Sequence, residues 1–368
     1  MNSITLPPAL SESRANALDK GTWRSSALPL MSVRIIQGFI YWGGGSRRFI
    51  YAPSKLDPNA THWMANKFQT AIPGALFGMG HVISYMLHHF YLLYAGVILF
   101  SAAELIVGLF LMLGLFTRGA ALVSMGFSVI LMMMFGWQGA TCIDEWTMAA
   151  CNLAMGATLM LSGSSTYALD NVLLRNKPAR AEQTWFRWIA GSLPLPLAEL
   201  RFRNLALAVL ALVVVFNVST YSYYRGSVIT PFHSGPVSPT AHHLTLAQAA
   251  LLPDGSVRFH VTLDAGTPEA PVHVVQAVLL DDHQVPLAQW NAAALSKMPK
   301  SAFDNDYAYN KFGPGPFGIR AAMGAASVIT LPPANNAISL ATAKTLQLID
   351  VDGRVFSAPL DGLAAKAN

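Results

Sequence analysis

Residues 92–116 read LLYAGVILFSAAELIVGLFLMLGLF, with Glu104 as the one charged side chain. At about 1.5 Å per residue, such a run is long enough to cross the roughly 30 Å of bilayer hydrocarbon. Residues 119–137, 146–163 and 204–224 are similar and carry no Asp, Glu, Lys or Arg. A fifth apolar stretch, 27–45, is interrupted by Arg34. Composition agrees: charged residues make up 12%, hydrophobic residues 53%, and mean hydropathy is +0.40. That charged share is about half that of a typical soluble domain. The expected architecture is an α-helical membrane domain, a four-helix bundle, followed by a fifth transmembrane helix and a C-terminal all-β, sandwich-like domain. Residues 71–90 are apolar, but Pro73, Gly74, Gly78 and Gly80 interrupt them, which predicts a short re-entrant or interfacial helix.

Lys and Arg in short connections favour the cytoplasmic side. Arg14, Lys20 and Arg24 precede the first span, and Arg118 separates the second from the third. Arg175, Lys177, Arg180, Arg187, Arg201 and Arg203 separate the fourth from the fifth. Five spans place all three segments inside, in a multi-pass protein of the cytoplasmic (inner) membrane. The expected divisions are a cytoplasmic N-terminal segment (1–26), a membrane domain (27–175), a basic cytoplasmic linker (176–203), the fifth helix (204–225) and an extracytoplasmic β domain (226–368). Arg47, Arg48, Lys55 and Lys67 then lie outside, against the rule, either as solvated loop charges or as an attraction for anions. No aromatic-basic pattern suggests nucleic acid. The scattered histidines and the two cysteines, Cys142 and Cys151, match no metal-site spacing.

After residue 240 the pattern changes period. Val257, Phe259, Val261 and Leu263 alternate as in a half-buried strand, and Asp352-Gly353 marks a hairpin turn. The stretch DNDYAYNKFGPGPFGIR (304–320) holds too much Gly and Pro for a core strand and is expected to be a long ordered loop.

An ionisable group within a span is costly and turns toward a partner. Glu104 and Asn152 are expected near mid-membrane and Arg34 nearer the inner face. An Arg34–Glu104 pair is the cheapest way to carry both charges. Such a pair either fixes the bundle or lines a proton path, an anion path or a polar pocket for a quinone headgroup. On the fourth helix, Glu145, Ala149 and Asn152 share a face, while Thr141 and Asp144 form a capping box. Glu145 is thereby left for chemistry. Cys142, at the helix start, gains thiolate character from the helix dipole if it is reactive, and is a small filler otherwise. Cys151, placed deeper, reads as packing.

Some of these motifs resemble a known family. Arg34, Gly38, Trp42-Gly43-Gly44 and Arg47-Arg48, followed by KLDPNATHWMANKF, resemble the start of DoxD, the membrane subunit of thiosulfate:quinone oxidoreductase. AELIVGLFLMLGLFTRGAAL resembles a signature of the wider DoxX-like superfamily and places Glu104, Gly108, Gly114, Thr117 and Arg118 in it. Asn152, Gly163 and Asp170 resemble the end of its fourth helix. WNAAALSKMPKSAFDNDYAYNKFGPGPFGI is similar to DoxA, the partner subunit. The two resemblances cover about 28–175 and 200–360, as in a fused chain.

The resemblance implies oxidation of thiosulfate to tetrathionate at the outer face, with electrons passing to membrane quinone as acceptor. No flavin, haem or metal motif is visible. The implied partners are thiosulfate, quinone and the lipid bilayer, with a homo-oligomer left open and nucleic acid excluded. Arg47, Arg48 and Lys55 are the expected substrate-binding residues. Cys142, Glu145 and Glu104 are the expected catalytic ones, and Arg34, Glu104 and Asn152 form the expected intramembrane network. A sulfur-oxyanion transporter and a non-catalytic assembly protein are the competing readings.

Overall fold

The computed structural model describes residues 8–51, 53–60, 62–138, 145–225, 235–268, 270–333 and 342–361. The chain divides into two compact units. One comprises Met1–Pro53, Ile98–Val129 and Ala149–Asn217, and the other Ser54–Val97, Ile130–Met148 and Val218–Asn368. The described α-helices are α1 (Pro8–Ser46), α2 (Met64–Ala71), α3 (Met79–His88), α4 (Phe90–Leu113), α5 (Thr117–Phe135), α6 (Glu145–Ser162), α7 (Leu169–Asn176), α8 (Thr184–Ile189), α9 (Glu199–Arg225) and α10 (Ala292–Ser296).

In the first unit, Tyr41, Val107, Leu111, Ala120, Ala121, Phe127 and Leu159 form one core shared by α1, α4, α5 and α6. Val209 and Val213 of α9 pack against Met125, Leu153 and Ala157. Among the described residues, Phe90–Leu113, Thr117–Phe135 and Glu199–Tyr224 are long and apolar enough to cross a membrane. Their outer faces expose Leu99, Ile106, Leu122, Leu207, Leu210 and Leu212. An apolar surface of this extent is unfavourable in water and suits contact with lipid. The chain is a membrane protein. The two other apolar stretches lie in α1 and α6, and α1 runs unbroken through the boundary expected at residue 27.

Among its described residues the second unit holds ten strands: β1 (His243–Leu251), β2 (Val257–Ala265), β3 (Val272–Leu280), β4 (Pro286–Asn291), β5 (Phe303–Asn305), β6 (Phe312–Gly315), β7 (Gly318–Ala321), β8 (Ala326–Leu331), β9 (Thr345–Asp350) and β10 (Val355–Asp361). Their order is β5-β8-β2-β1-β10-β9-β3-β7-β6, with β4 also paired to β3. The strands form two hydrogen-bonded halves, β5-β8-β2-β1 and β10-β9-β3-β7-β6, joined through a short parallel pairing of Ala249 with Leu360 and Ala250 with Asp361. Residues of both halves line one buried core, a barrel-like arrangement. Val257, Phe259, Val261 and Leu263 are all fully buried, as their alternation predicts. Gly353 takes φ +80° in the turn between β9 and β10.

The Gly/Pro-rich segment departs from expectation, because it contributes strands β6 and β7. Pro314 is tolerated because β6 is an edge strand, where no neighbour requires its missing N–H. Gly318, at φ +114°, closes the hairpin back onto Pro314 and Gly315.

Residues 71–90 form no continuous span. α2 passes into a 3-10 turn, Ile72–Gly74, and α3 starts after Gly78 at φ +78°. These short helices belong to the same unit as the sheet. Gln69 donates to the carbonyls of Asn310 (2.8 Å) and Gly324 (3.0 Å) and accepts from the Asn310 N–H (2.8 Å). The Asn310 amide donates in turn to Asn66 (2.9 Å) and Met323 (2.8 Å). Asn310→Ala leaves two buried carbonyls without these donors. We expect it to cost about 2–4 kcal/mol, read as a lower thermal midpoint of the detergent-solubilised protein.

Candidate active site

The site is built on glycines. A Cβ placed on Gly38 of α1 would lie 2.7 Å from the Gly108 carbonyl and the Met112 N of α4. One on Gly45 would lie 2.8 Å from Leu105 N and 2.9 Å from Ser101 O. The two helices therefore run antiparallel with backbones in contact, as small residues permit. This contact sets Glu104 beside Gly44, where a Cβ would be 3.4 Å from Glu104 Oε2.

Just beyond, α1 gives way to a π-helical turn, Arg47–Tyr51, and Arg48 reaches back to donate to Glu104 Oε2 and, at 3.2 Å, to Ser101 Oγ. π turns recur at functional sites because they re-aim side chains. Glu104 is 5% exposed. Arg48 Nε is buried and donates to no acceptor among the described residues, and Gly43 faces open space. The result is a buried carboxylate neutralised by a guanidinium that keeps one donor for another oxygen. Such a pair can hold an oxyanion and transfer a proton side by side.

The same face of α1 continues inward. Gln37 Nε2 donates to the Asn152 carbonyl (2.8 Å) and Ser124 Oγ (3.3 Å). Tyr41 donates to the Ser124 carbonyl (2.9 Å) and lies 2.9 Å from Ser128 Oγ. Arg34, Gln37, Tyr41 and Arg48 thus share one stripe with Gly44 and Gly45, at helical spacing. That spacing is the signal that singles out Gln37, which the sequence reading passed over along with Ser124 and Ser128.

The family TQO small subunit DoxD matches residues 30–207, and TQO small subunit DoxA matches residues 224–358. The chain is a DoxD-like protein fused to a DoxA-like domain. No solved structure matches it. The Gln69–Asn310 exchange joins the DoxD-like part to the DoxA-like part within one compact unit.

The structure corrects one pairing in the DoxD-like part. Arg34 does not meet Glu104. It donates to the carbonyls of Ser164 (2.5 Å) and Tyr167 (3.1 Å) and lies against Gly114. Glu104 is instead bound by Arg48, which had been expected among the substrate ligands. Arg47 is exposed on the π turn, and Lys55 lies in the 3-10 turn Pro53–Leu56. Asn152 is buried, and it is its backbone carbonyl that accepts from Gln37 Nε2.

Glu145 is held by Lys67 at 2.6 Å. Lys67 also donates to Gln138 Oε1 (3.2 Å) and stands over the Phe135 ring at 5.2 Å. Cys142 and the Thr141–Asp144 cap lie outside the described residues. Cys151 is exposed on α6, so the packing role expected of it does not hold.

Proposed function

We propose that the chain is a thiosulfate:quinone oxidoreductase. The observation that carries this reading is that one polypeptide holds both small-subunit families of that enzyme. Two thiosulfate dianions join through a new sulfur–sulfur bond to give tetrathionate and release two electrons. Quinone takes those electrons with two protons and becomes quinol. In this reading five helices cross the inner membrane, with the N-terminus inside and the DoxA-like domain outside.

Arg48 Nε and the exposed Arg47 bind the dianion beside Gly43 and Gly44, with Lys55 adding positive charge to its approach. Glu104, freed from Arg48 as the anion arrives, passes a proton to quinone, and Glu145 is a second proton carrier on the Lys67 side. Cys142 thiolate bonds to the first thiosulfate as two electrons leave for quinone. The second thiosulfate attacks that adduct, and tetrathionate departs with the thiolate restored.

The test is reduction of decylubiquinone by purified protein in liposomes. The expected result is thiosulfate-dependent quinol formation with one tetrathionate per quinol. Thiosulfate uptake without quinone, or no turnover at all, overturns the reading. Cys142→Ser is expected to remove nearly all of the rate, toward the roughly 10⁶-fold loss seen when a nucleophile is deleted from a catalytic unit. An unchanged rate removes the covalent step and leaves direct coupling of the two anions.

A further inference from the structure

We propose that the turn formed by residues 163–168, between α6 and α7, binds a tetrahedral oxyanion group. The site lies about fourteen residues along α1 from Arg48, or ~21 Å of helix, and does not rest on the activity proposed above.

The backbone of this turn alternates in hand. Gly163, Ser165 and Tyr167 have φ of +88°, +59° and +51°, and the residues between them do not have positive φ. Alternation of this kind turns successive N–H groups toward one concavity, the arrangement that cradles anions in many proteins. The N–H groups of Ser165, Thr166 and Tyr167 donate to no acceptor among the described residues. The hydroxyls of Ser164, Ser165 and Thr166 are buried and have no partner there, as are those of Ser162 and Ser192 on either flank. Ser164 is fully buried. Unpartnered buried donors in such density are costly unless something accepts from them.

The charge balance points the same way. Arg34 and Arg118 are both buried beneath the turn. Arg34 grips its carbonyls, and Arg118 approaches Gly163, where a Cβ would lie 3.0 Å from Nη2. Arg118 donates to the carbonyls of Met160, Arg187, Ala190 and Leu193, all uncharged. Among the described residues the buried carboxylate here is Asp170, which already accepts from the N–H groups of Phe116 (2.7 Å), Thr117 (3.1 Å) and Gly191 (2.8 Å) and from the Thr117 hydroxyl (3.0 Å). Two buried guanidiniums against one carboxylate, among the described residues, leave an excess positive charge, which an anion on the turn compensates. Ser165 and Thr166 are only half-buried and Tyr167 is exposed, so the concavity is open to a solute or to a lipid headgroup.

Free inorganic oxyanions and phospholipid phosphates share this chemistry. The test uses full-length protein, delipidated in phosphate-free detergent. Radiolabelled inorganic phosphate is titrated by equilibrium dialysis, and retained phospholipid is counted by native mass spectrometry before delipidation. The comparison variant is Ser164→Ala/Ser165→Ala/Thr166→Ala, which removes hydroxyls that have no protein partner. Saturable phosphate binding that weakens about tenfold or more in the variant supports a free-anion site. Retained phospholipid that falls by one molecule per chain in the variant supports a headgroup site. Equal phosphate binding and equal lipid retention in both proteins overturn the proposal. If the triple variant does not fold, Thr166→Ala is read by the same two measurements.

Discussion

Glu104→Gln is expected to lower thiosulfate-dependent quinone reduction by about 10²–10⁴-fold, the range found when a general acid or base is removed. The substitution keeps the shape and most hydrogen bonds of the side chain but deletes its charge. It also leaves the Arg48 guanidinium buried without its counter-ion. Breaking one side of a buried pair costs about 3–5 kcal/mol, so a fall in activity alone does not separate chemistry from folding. The double variant Arg48→Gln/Glu104→Gln makes that separation. It removes both charges, and we expect it to recover most of the lost thermal midpoint while activity stays low. Recovery of activity together with the midpoint assigns the pair a purely structural role.

The second large effect is expected at Gly108. A Cβ there runs into the backbone N and Cα of Trp42 rather than into a side chain that can swing aside. Overpacking of a core costs about 1–3 kcal/mol, and Gly108→Ala should reach the top of that range or beyond it, because α1 and α4 must move apart as rigid bodies. Separation also pulls Glu104 from Arg48, so activity falls even in the fraction that folds. Gly43→Ala is the control: it lies on α1, one residue from the Trp42 that Gly108 touches, but faces open space, and should gain roughly 0.5–1 kcal/mol. Thermal midpoints of the two proteins in detergent, moving in opposite directions, check the argument.

The helices were legible because long uncharged runs have few other fates, and the alternation in β2 was equally plain. The partner of Glu104 was not. Position along each span fixes only depth in the membrane, and by depth Arg34 falls within reach of Glu104. The register of two helices is a separate quantity, set here by Gly38 on Met112 and Gly45 on Leu105. That register puts Arg34 at Gly114, ten residues from Glu104, or about 15 Å along the helix. Glycine contacts are visible in a sequence only as small residues, and which of them meet depends on the packed pair. The strands at 312–321 were missed for a related reason, since Gly and Pro argue against a central strand but say nothing against an edge.

The exchange between Gln69 and Asn310 bears on how such a chain can be divided. Segments that precede α9, including α2 and α3, share a compact unit with the sheet that follows it. The peptide link between the two family parts is therefore not what keeps them together. It acts as a tether, holding the interacting surfaces at an effective concentration in the millimolar range. Two polypeptides, one ending at residue 225 and one starting at residue 235, are expected to assemble when co-expressed and to separate on dilution. Asn310→Ala then acts as an assembly mutation in the split protein and as a stability mutation in the intact one.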